Sequence, residues 1–330
     1  MTVPVRPTLW IITDGKAGDE QPLIGVAEEL GVSPDRRHVH PRPPFVWLMP
    51  WGPIDPREGP DHAGAPLSPP FPDICLATGR RAVAYLRRLK QLSPATVTVF
   101  FKHPRCRADG ADLLVMSPHD RPDGREASRL IVTPTLPNRL PAGRLAALRA
   151  TPPPALAALP PPRLAVLIGG DSRHHRFTPT DIARLIAGLR ARRAAGASLM
   201  ITASRRTPPP LRAALDAFAN ADRVFFWNGQ GDNPYAAMLA LADEVVVTAD
   251  STNMIGEAAV TGRPIQVFHP SGGHAKITAF IAELGRHAAI GRFPEAPASA
   301  SYPPINATPD IAAAILALWQ ARITPPPARS

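Results

Sequence analysis

Cysteine is nearly missing from this 330-residue chain. Cys75 and Cys106 are the two present, and they match neither a zinc-ligand spacing nor a disulfide framework. Lysine is scarce as well. Only Lys16, Lys90, Lys102 and Lys276 are lysine among 37 basic residues, and the other 33 are arginine. Although the net charge is +10, the arginines do not run in the blocks that mark a nucleic-acid-binding tail, so nucleic acid is not an expected partner. No stretch approaches the roughly 20 apolar residues of a membrane span. Thr8–Thr13 is only strand-length and lacks the flanks of a secretory signal. The expectation is a cytosolic protein whose basic surface suits nucleotides or the cytoplasmic face of a membrane.

What is present is a strand-and-helix rhythm that occurs twice. Hydrophobic residues make up 45% of the chain, and its length is enough for two domains with full cores. The stretch Leu164-Ala-Val-Leu-Ile168 reads as a buried strand, Gly169-Gly170 breaks it, and a helix opens near Thr178-Pro179. Upstream, strands are expected at Leu9–Thr13, Arg37–His40, Asp73–Ala77, Thr96–Phe101, Asp112–Met116 and Leu130–Thr133, with helices near Glu20–Leu30, Arg80–Leu92 and Ala142–Ala150. Gly52–Pro72, rich in Pro, Gly and Asp, reads as a mobile loop. Thr151–Arg163 is dense in proline and reads as a stiff linker. Past it, strands alternate with helices to Leu284, and Pro309–Arg322 is an amphipathic helix before a Pro-rich, disordered tail.

The fold class expected is therefore α/β, with two Rossmann-like doubly wound domains. Residues 1–150 form the first, 151–163 the linker, 164–308 the second, and 309–330 a helix and tail returning toward the first.

In such sheets ligands collect beyond the carboxyl ends of the strands. The loops there are glycine-rich and cationic in the second half. The Gly169-Gly170 turn, with Asp171, Ser172 and Arg173, offers backbone N–H groups to a phosphate. Ser204 and Arg205 follow the next strand, and paired arginines suit a diphosphate. Asp250 precedes a helix that Ser251 or Thr252 can cap, and on which Glu257 falls one to two turns in, where a carboxylate accepts from ribose hydroxyls. Each also has a structural alternative, a tight turn or a solvated ion pair.

These residues carry a resemblance. Gly169-Gly-Asp-Ser-Arg-His174, Thr202-Ala-Ser-Arg-Arg-Thr-Pro208 and Thr248-Ala-Asp-Ser-Thr-Asn-Met254 with Glu257-Ala258 resemble a bacterial family of unknown substrate, as do Asp14-Gly-Lys-Ala-Gly18, His103-Pro-Arg105 and Pro118-His-Asp120. The family takes its name from the plant mitochondrial-fission "elongated mitochondria" factor. It is similar in turn to GT-B glycosyltransferases, in which two Rossmann-like domains face a cleft, one gripping a nucleotide sugar and the other presenting the acceptor. One departure stands out: Asp19-Glu20-Gln21-Pro22 replaces the histidine-containing run usual in the family.

The resemblance implies a metal-independent glycosyltransferase without a cofactor, using a nucleoside-diphosphate sugar as co-substrate and an envelope or lipid-linked acceptor. No Asp-x-Asp metal motif is present. Asp14 or His119 is the expected base, and Lys16, Gly18, His103, Arg105 and Lys276 line the acceptor side. A non-catalytic membrane-associated adaptor and a sugar-nucleotide epimerase remain the alternatives. Phe45-Val-Trp-Leu-Met-Pro-Trp51, flanked by Arg42 and Arg57, either touches a membrane, which would place the protein peripherally on the inner membrane, or covers the edge of the first core.

Overall fold

The structure, a computed structural model, describes residues 6–107, 109–120, 129–295 and 300–324. Two compact units divide the chain. One holds the residues up to Arg139 together with those from Ala307 onward, and the other is Leu140–Asn306.

The first unit is built on β1 (Leu9–Thr13), α1 (Ala17–Glu29), β2 (Asp35–His38), α2 (Phe45–Leu48), β3 (Ile74–Thr78), α3 (Ala82–Leu92), β4 (Val97–Phe101), β5 (Leu113–Met116) and β6 (Leu130–Val132). The strands form one parallel sheet in the order β2-β1-β3-β4-β5-β6. Strand periodicity sorts the side chains between its faces. Leu9 and Ile11 join one buried cluster, while Trp10 and Ile12 join the other.

The second unit runs α4 (Ala142–Ala150), α5 (Pro154–Ala157), β7 (Arg163–Ile168), β8 (His175–Arg176), α6 (Pro179–Ala194), β9 (Ser198–Ala203), α7 (Pro209–Asp216), β10 (Val224–Trp227), α8 (Tyr235–Leu241), β11 (Glu244–Thr248), α9 (Thr252–Ala259), β12 (Ile265–Phe268), β13 (Ser271–Gly272), α10 (Ala275–Leu284) and β14 (Ile290–Phe293). Its six-stranded parallel sheet has the order β10-β9-β7-β11-β12-β14. That is the Rossmann order, with the reversal falling between β7 and β11. The final helix, α11 (Thr308–Ile323), belongs to the first unit, where Ile311, Ile315 and Trp319 are buried in the same cluster as Leu23 and Val26 of α1.

Three sequence expectations change. The division falls at Arg139/Leu140, and 151–163 is not a free linker. Pro153 and Pro154 occupy the N-cap and first position of α5, where a missing N–H costs nothing. Leu156 and Leu159 then share a face and are buried with Leu145 of α4 in the core of the second unit. The helix 142–150 therefore belongs to the second unit. Gly52–Pro72 is anchored. Arg42 binds the buried Asp55 carboxylate with two bonds of 2.7 Å, Tyr85 donates to Glu58, and Leu67 is fully buried. β14 was not expected, because Ile-Gly-Arg-Phe is short and barely periodic.

Candidate functional site

In the second unit the carboxyl ends of β7, β9 and β11 are knotted around Asp250. Its side chain is fully buried and accepts from the Gly170 N–H (3.0 Å), the Thr248 hydroxyl (2.6 Å) and Arg206 Nη2 (2.8 Å). Thr248 Oγ1 in turn accepts from the Gly169 N–H at 2.8 Å. Ser204 and Thr207 both donate their hydroxyls to the Gly169 carbonyl, at 2.7 and 2.5 Å. The Asp171 N–H reaches Arg206 O at 3.1 Å, and the Ser172 N–H reaches His175 O at 3.0 Å. The Asp171 carboxylate accepts from the Phe177 N–H at 2.9 Å, and the Ser172 hydroxyl from those of His174 and His175.

This arrangement corrects the expected phosphate cradle. The N–H groups of Gly169, Gly170, Asp171 and Ser172 all have protein acceptors. The glycines are there because loops meet: a Cβ on Gly169 would overlap the Asp250 carboxylate, and one on Gly170 the Arg206 carbonyl. The following helix does not start at the glycines either. α6 begins nine residues on, and its end is closed by a Thr178–Asp181 capping box. Asp250 and Ser204 are therefore architectural, holding the loops from within.

Around that knot stand groups that remain available. Arg173 and Arg205 are exposed, and neither makes a hydrogen bond or ion pair among the described residues. Ser251 caps α9 by accepting from the Met254 N–H, and the Thr252 N–H has no acceptor among the described residues. About one and a half turns along α9, the Glu257 carboxylate accepts from Tyr235 OH. Burial pushes the Glu257 carboxyl up to about 7, with the Tyr235 hydroxyl holding it down in part. The same burial raises the Tyr235 phenol well above its ordinary value.

Beside it, β8 and β13 pair as a short antiparallel ribbon. It sets the His174 and His274 rings 4.2 Å apart. Burial, followed by neighbouring positive charge, lowers His174; burial is also the main force lowering His175 and His269. His175 is buried with Nδ1 lacking a partner among the described residues, and the His274 side chain caps α10 by accepting from the Lys276 N–H at 3.2 Å. No local pattern announces a pairing between residues 100 positions apart. Among the described residues no three His, Cys, Asp or Glu side chains are grouped to hold a metal.

In the first unit, the turn after β1 uses Gly15 at φ +80°. Asp14 is 10% exposed, with Oδ2 bound by Lys16 Nζ at 2.6 Å and Oδ1 buried without a partner among the described residues. Beside it lies a pair the sequence reading passed over. Glu20 is buried and accepts from Thr13 Oγ1 (3.3 Å), and its Oε1 meets His38 Nε2 at 2.5 Å. The only sequence signal was the departure at residues 19–22. Lys102, at φ 74°, reaches Asp19 Oδ1 at 2.5 Å across 83 residues. His103 Nδ1 accepts from the Arg105 N–H at 2.8 Å, and Arg105 is exposed. Gly18 lies in the first turn of α1, while Lys276 lies on α10 of the second unit. His119 sits in the 3-10 turn Pro118–Asp120 after β5.

Two parallel, doubly wound six-stranded units with polar loops at the carboxyl ends of their strands define a GT-B-type α/β protein. Solved structures share that fold. The UDP-GlcNAc 2-epimerase from Neisseria meningitidis bound to UDP-GlcNAc matches with a TM-score of 0.50 at 12% identity, over 94% of this chain and 99% of that one. Arabidopsis thaliana UGT89C1 complexed with quercetin matches at 0.51 and 12%, over 98% and 91%. The profile described as "Mitochondrial fission ELM1" matches residues 17–319, and the chain belongs to that family. The mitochondrial fission protein ELM1 of Arabidopsis thaliana is 31% identical over 277 residues, 74% of this chain and 63% of the relative, so the match spans under two thirds of that protein's length. The uncharacterized protein RP120 of Rickettsia prowazekii (strain Madrid E) is 33% identical over 110 residues, 32% of this chain and 31% of that one.

Proposed function

We propose that the chain is a glycosyltransferase that moves a sugar from a nucleoside-diphosphate sugar to a hydroxyl of an envelope or lipid-linked acceptor. The observation that carries this reading is the α9 helix start. Among the described residues the Thr252 N–H at its first turn has no acceptor, Glu257 follows on the same helix, and Arg173 and Arg205 lie exposed on neighbouring loops without partners. A helix N-terminus with free N–H groups suits a diphosphate. The Glu257 carboxylate, once ionised, accepts from two ribose hydroxyls. Support comes from the shared fold with a protein that holds UDP-GlcNAc.

In the reaction the bond between sugar C1 and the diphosphate oxygen breaks and a bond from the acceptor oxygen to C1 forms. The acceptor proton passes to a base, and the arginines and the helix start offset the charge on the departing diphosphate. Asp14 is the base we favour, since its Oδ1 has no partner among the described residues and Lys16 keeps the other oxygen in place. His38 is the second reading, because buried Glu20 orients its ring as a carboxylate orients a catalytic imidazole. His119 is a third candidate. Lys16 and Arg105 would position anionic groups of the acceptor.

A thermal-shift panel of UDP, GDP, CMP, ADP and their sugars tests the reading, because a ligand of the native state raises Tm by mass action. A shift with one base is expected, and no shift with any would remove the proposal. The fold shared with epimerases supports a second reading on the same scaffold. Deuterium from heavy water appearing at C2 of a bound UDP-GlcNAc, without transfer, would favour it. A non-catalytic adaptor would bind none of the panel.

A further inference from the structure

The segment from Phe45 to Gly52 lifts apolar side chains into solvent: Trp47 is 71% exposed, Leu48 48% and Trp51 67%. The segment is held firmly beneath them. Met49, between the two indoles, is fully buried in the core under α3. Arg87 of α3 donates to the carbonyls of Pro50 (3.4 Å), Trp51 (3.0 Å) and Gly52 (2.6 Å). Arg80, seven residues earlier, donates to Val46 O at 3.3 Å. The sequence left open whether these aromatics cover the core or face outward. Met49 does the first, and the tryptophans do the second.

The exposed charge in the two stretches that meet here, 42–57 and 79–92, is of one sign. Between Arg42 and Arg57 the single carboxylate is Asp55, which is buried and bound by Arg42. From Gly79 to Leu92 there is no acidic residue, against Arg80, Arg81, Arg87, Arg88 and Lys90. Lys90, at the far end, is taken up by Asp112. Arg81 and Arg88 lie seven apart and share one side of α3, next to the side that grips the segment. Tryptophan places an apolar body and a polar N–H at the headgroup boundary, and neighbouring arginine binds lipid phosphate. Of the described helices none is long and apolar enough to cross a membrane, so any contact would be at the surface.

We propose that Trp47, Leu48 and Trp51, with the arginines of α3, form a docking surface for an anionic lipid bilayer. This stands independently of the sugar-transfer reading, and its test involves no nucleotide. Full-length protein is floated with vesicles of phosphatidylcholine alone or with a third phosphatidylglycerol. Binding to the anionic vesicles only, weakened by salt, is expected. Trp47→Ala with Trp51→Ala, and separately Arg81→Glu with Arg88→Glu, should each weaken binding by about tenfold or more with Tm within about 2 °C of wild type. Should the tryptophan variant fold poorly, brominated phosphatidylglycerol gives a second readout on the unaltered chain. Trp10 and Trp319 are buried and Trp227 is half-buried in β10, so the quenching that survives Trp227→Phe reports the exposed indoles. Absence of flotation and quenching with anionic vesicles overturns the proposal. So does a concentration-dependent dimer that the tryptophan substitutions dissolve while vesicles go unbound, which would make the patch a self-interface.

Discussion

Replacing Asp250 by alanine should unfold the second unit's loop knot rather than merely weaken a ligand. The carboxylate is fully buried and accepts from the Gly170 N–H, the Thr248 hydroxyl and Arg206. A hydrogen bond to a charged acceptor contributes about 1.5–3 kcal/mol, and stranding a buried donor costs about as much. Two such donors, on Gly170 and Thr248, give about 3–6 kcal/mol. Arg206 is 47% exposed and turns to water when its partner goes, so its share is about 1 kcal/mol or less. Rotation of the Thr248 hydroxyl recovers part, leaving about 3–4 kcal/mol. Scanning calorimetry should therefore show Tm lower by about 6–16 °C. A cycle with Arg206→Ala should return a coupling of about 1 kcal/mol or less. A loss below about 1 kcal/mol for Asp250→Ala would refute this reasoning and return Asp250 to the ligand-binding set.

Glu257 gives a pH signature. Its folded-state pKa of about 7 lies above the ordinary glutamate value, so between about pH 4.5 and 7 the folded chain binds more protons than the unfolded one. Stability should fall as pH rises through that window, by on the order of 3 kcal/mol in all, and denaturant titrations on Glu257→Gln should lack the slope. Nucleotide affinity should run the other way, rising as the carboxylate ionises. Ile315→Ala, in the face of α11 buried against α1, should cost about 2–5 kcal/mol, seen by hydrogen exchange as loss of protection in α1 and β4 with β7 and β9 unaffected. With an acceptor in hand, Asp14→Asn should lower kcat by about 10²–10⁴, while a change within threefold would pass the role to His38 or His119.

The strands were legible because parallel, doubly covered sheets demand continuous apolar runs such as Leu164–Ile168 and Val245–Val247. What failed were statements about partners distant in sequence. Composition marked Thr151–Arg163 as a spacer, yet Leu156 and Leu159 supply enough apolar surface to draw it into a core. Gly169-Gly170 looked like a phosphate turn, and its glycines are required, but by the approach of Asp250 and Arg206 from 80 and 36 residues away. Glu20 and His38 went unseen for the same reason: eighteen residues separate them, and their meeting depends on β2 lying beside β1. The place of Glu257 on α9, after a cap residue at the end of a strand, was legible, while its partner Tyr235, 22 residues away, was not.

We propose that the second unit holds a nucleoside diphosphate across the α9 helix start. Isothermal titration of the wild type with UDP, and with whichever nucleotide the panel selects, tests it most directly, beside Arg205→Ala and Glu257→Gln. Measurable binding by the wild type is expected, with a loss of about 10- to 100-fold for Arg205→Ala, the range for one charged hydrogen bond. Glu257→Gln should weaken nucleoside and nucleotide alike. Wild-type binding that neither substitution changes, or no binding of any nucleotide, would contradict it.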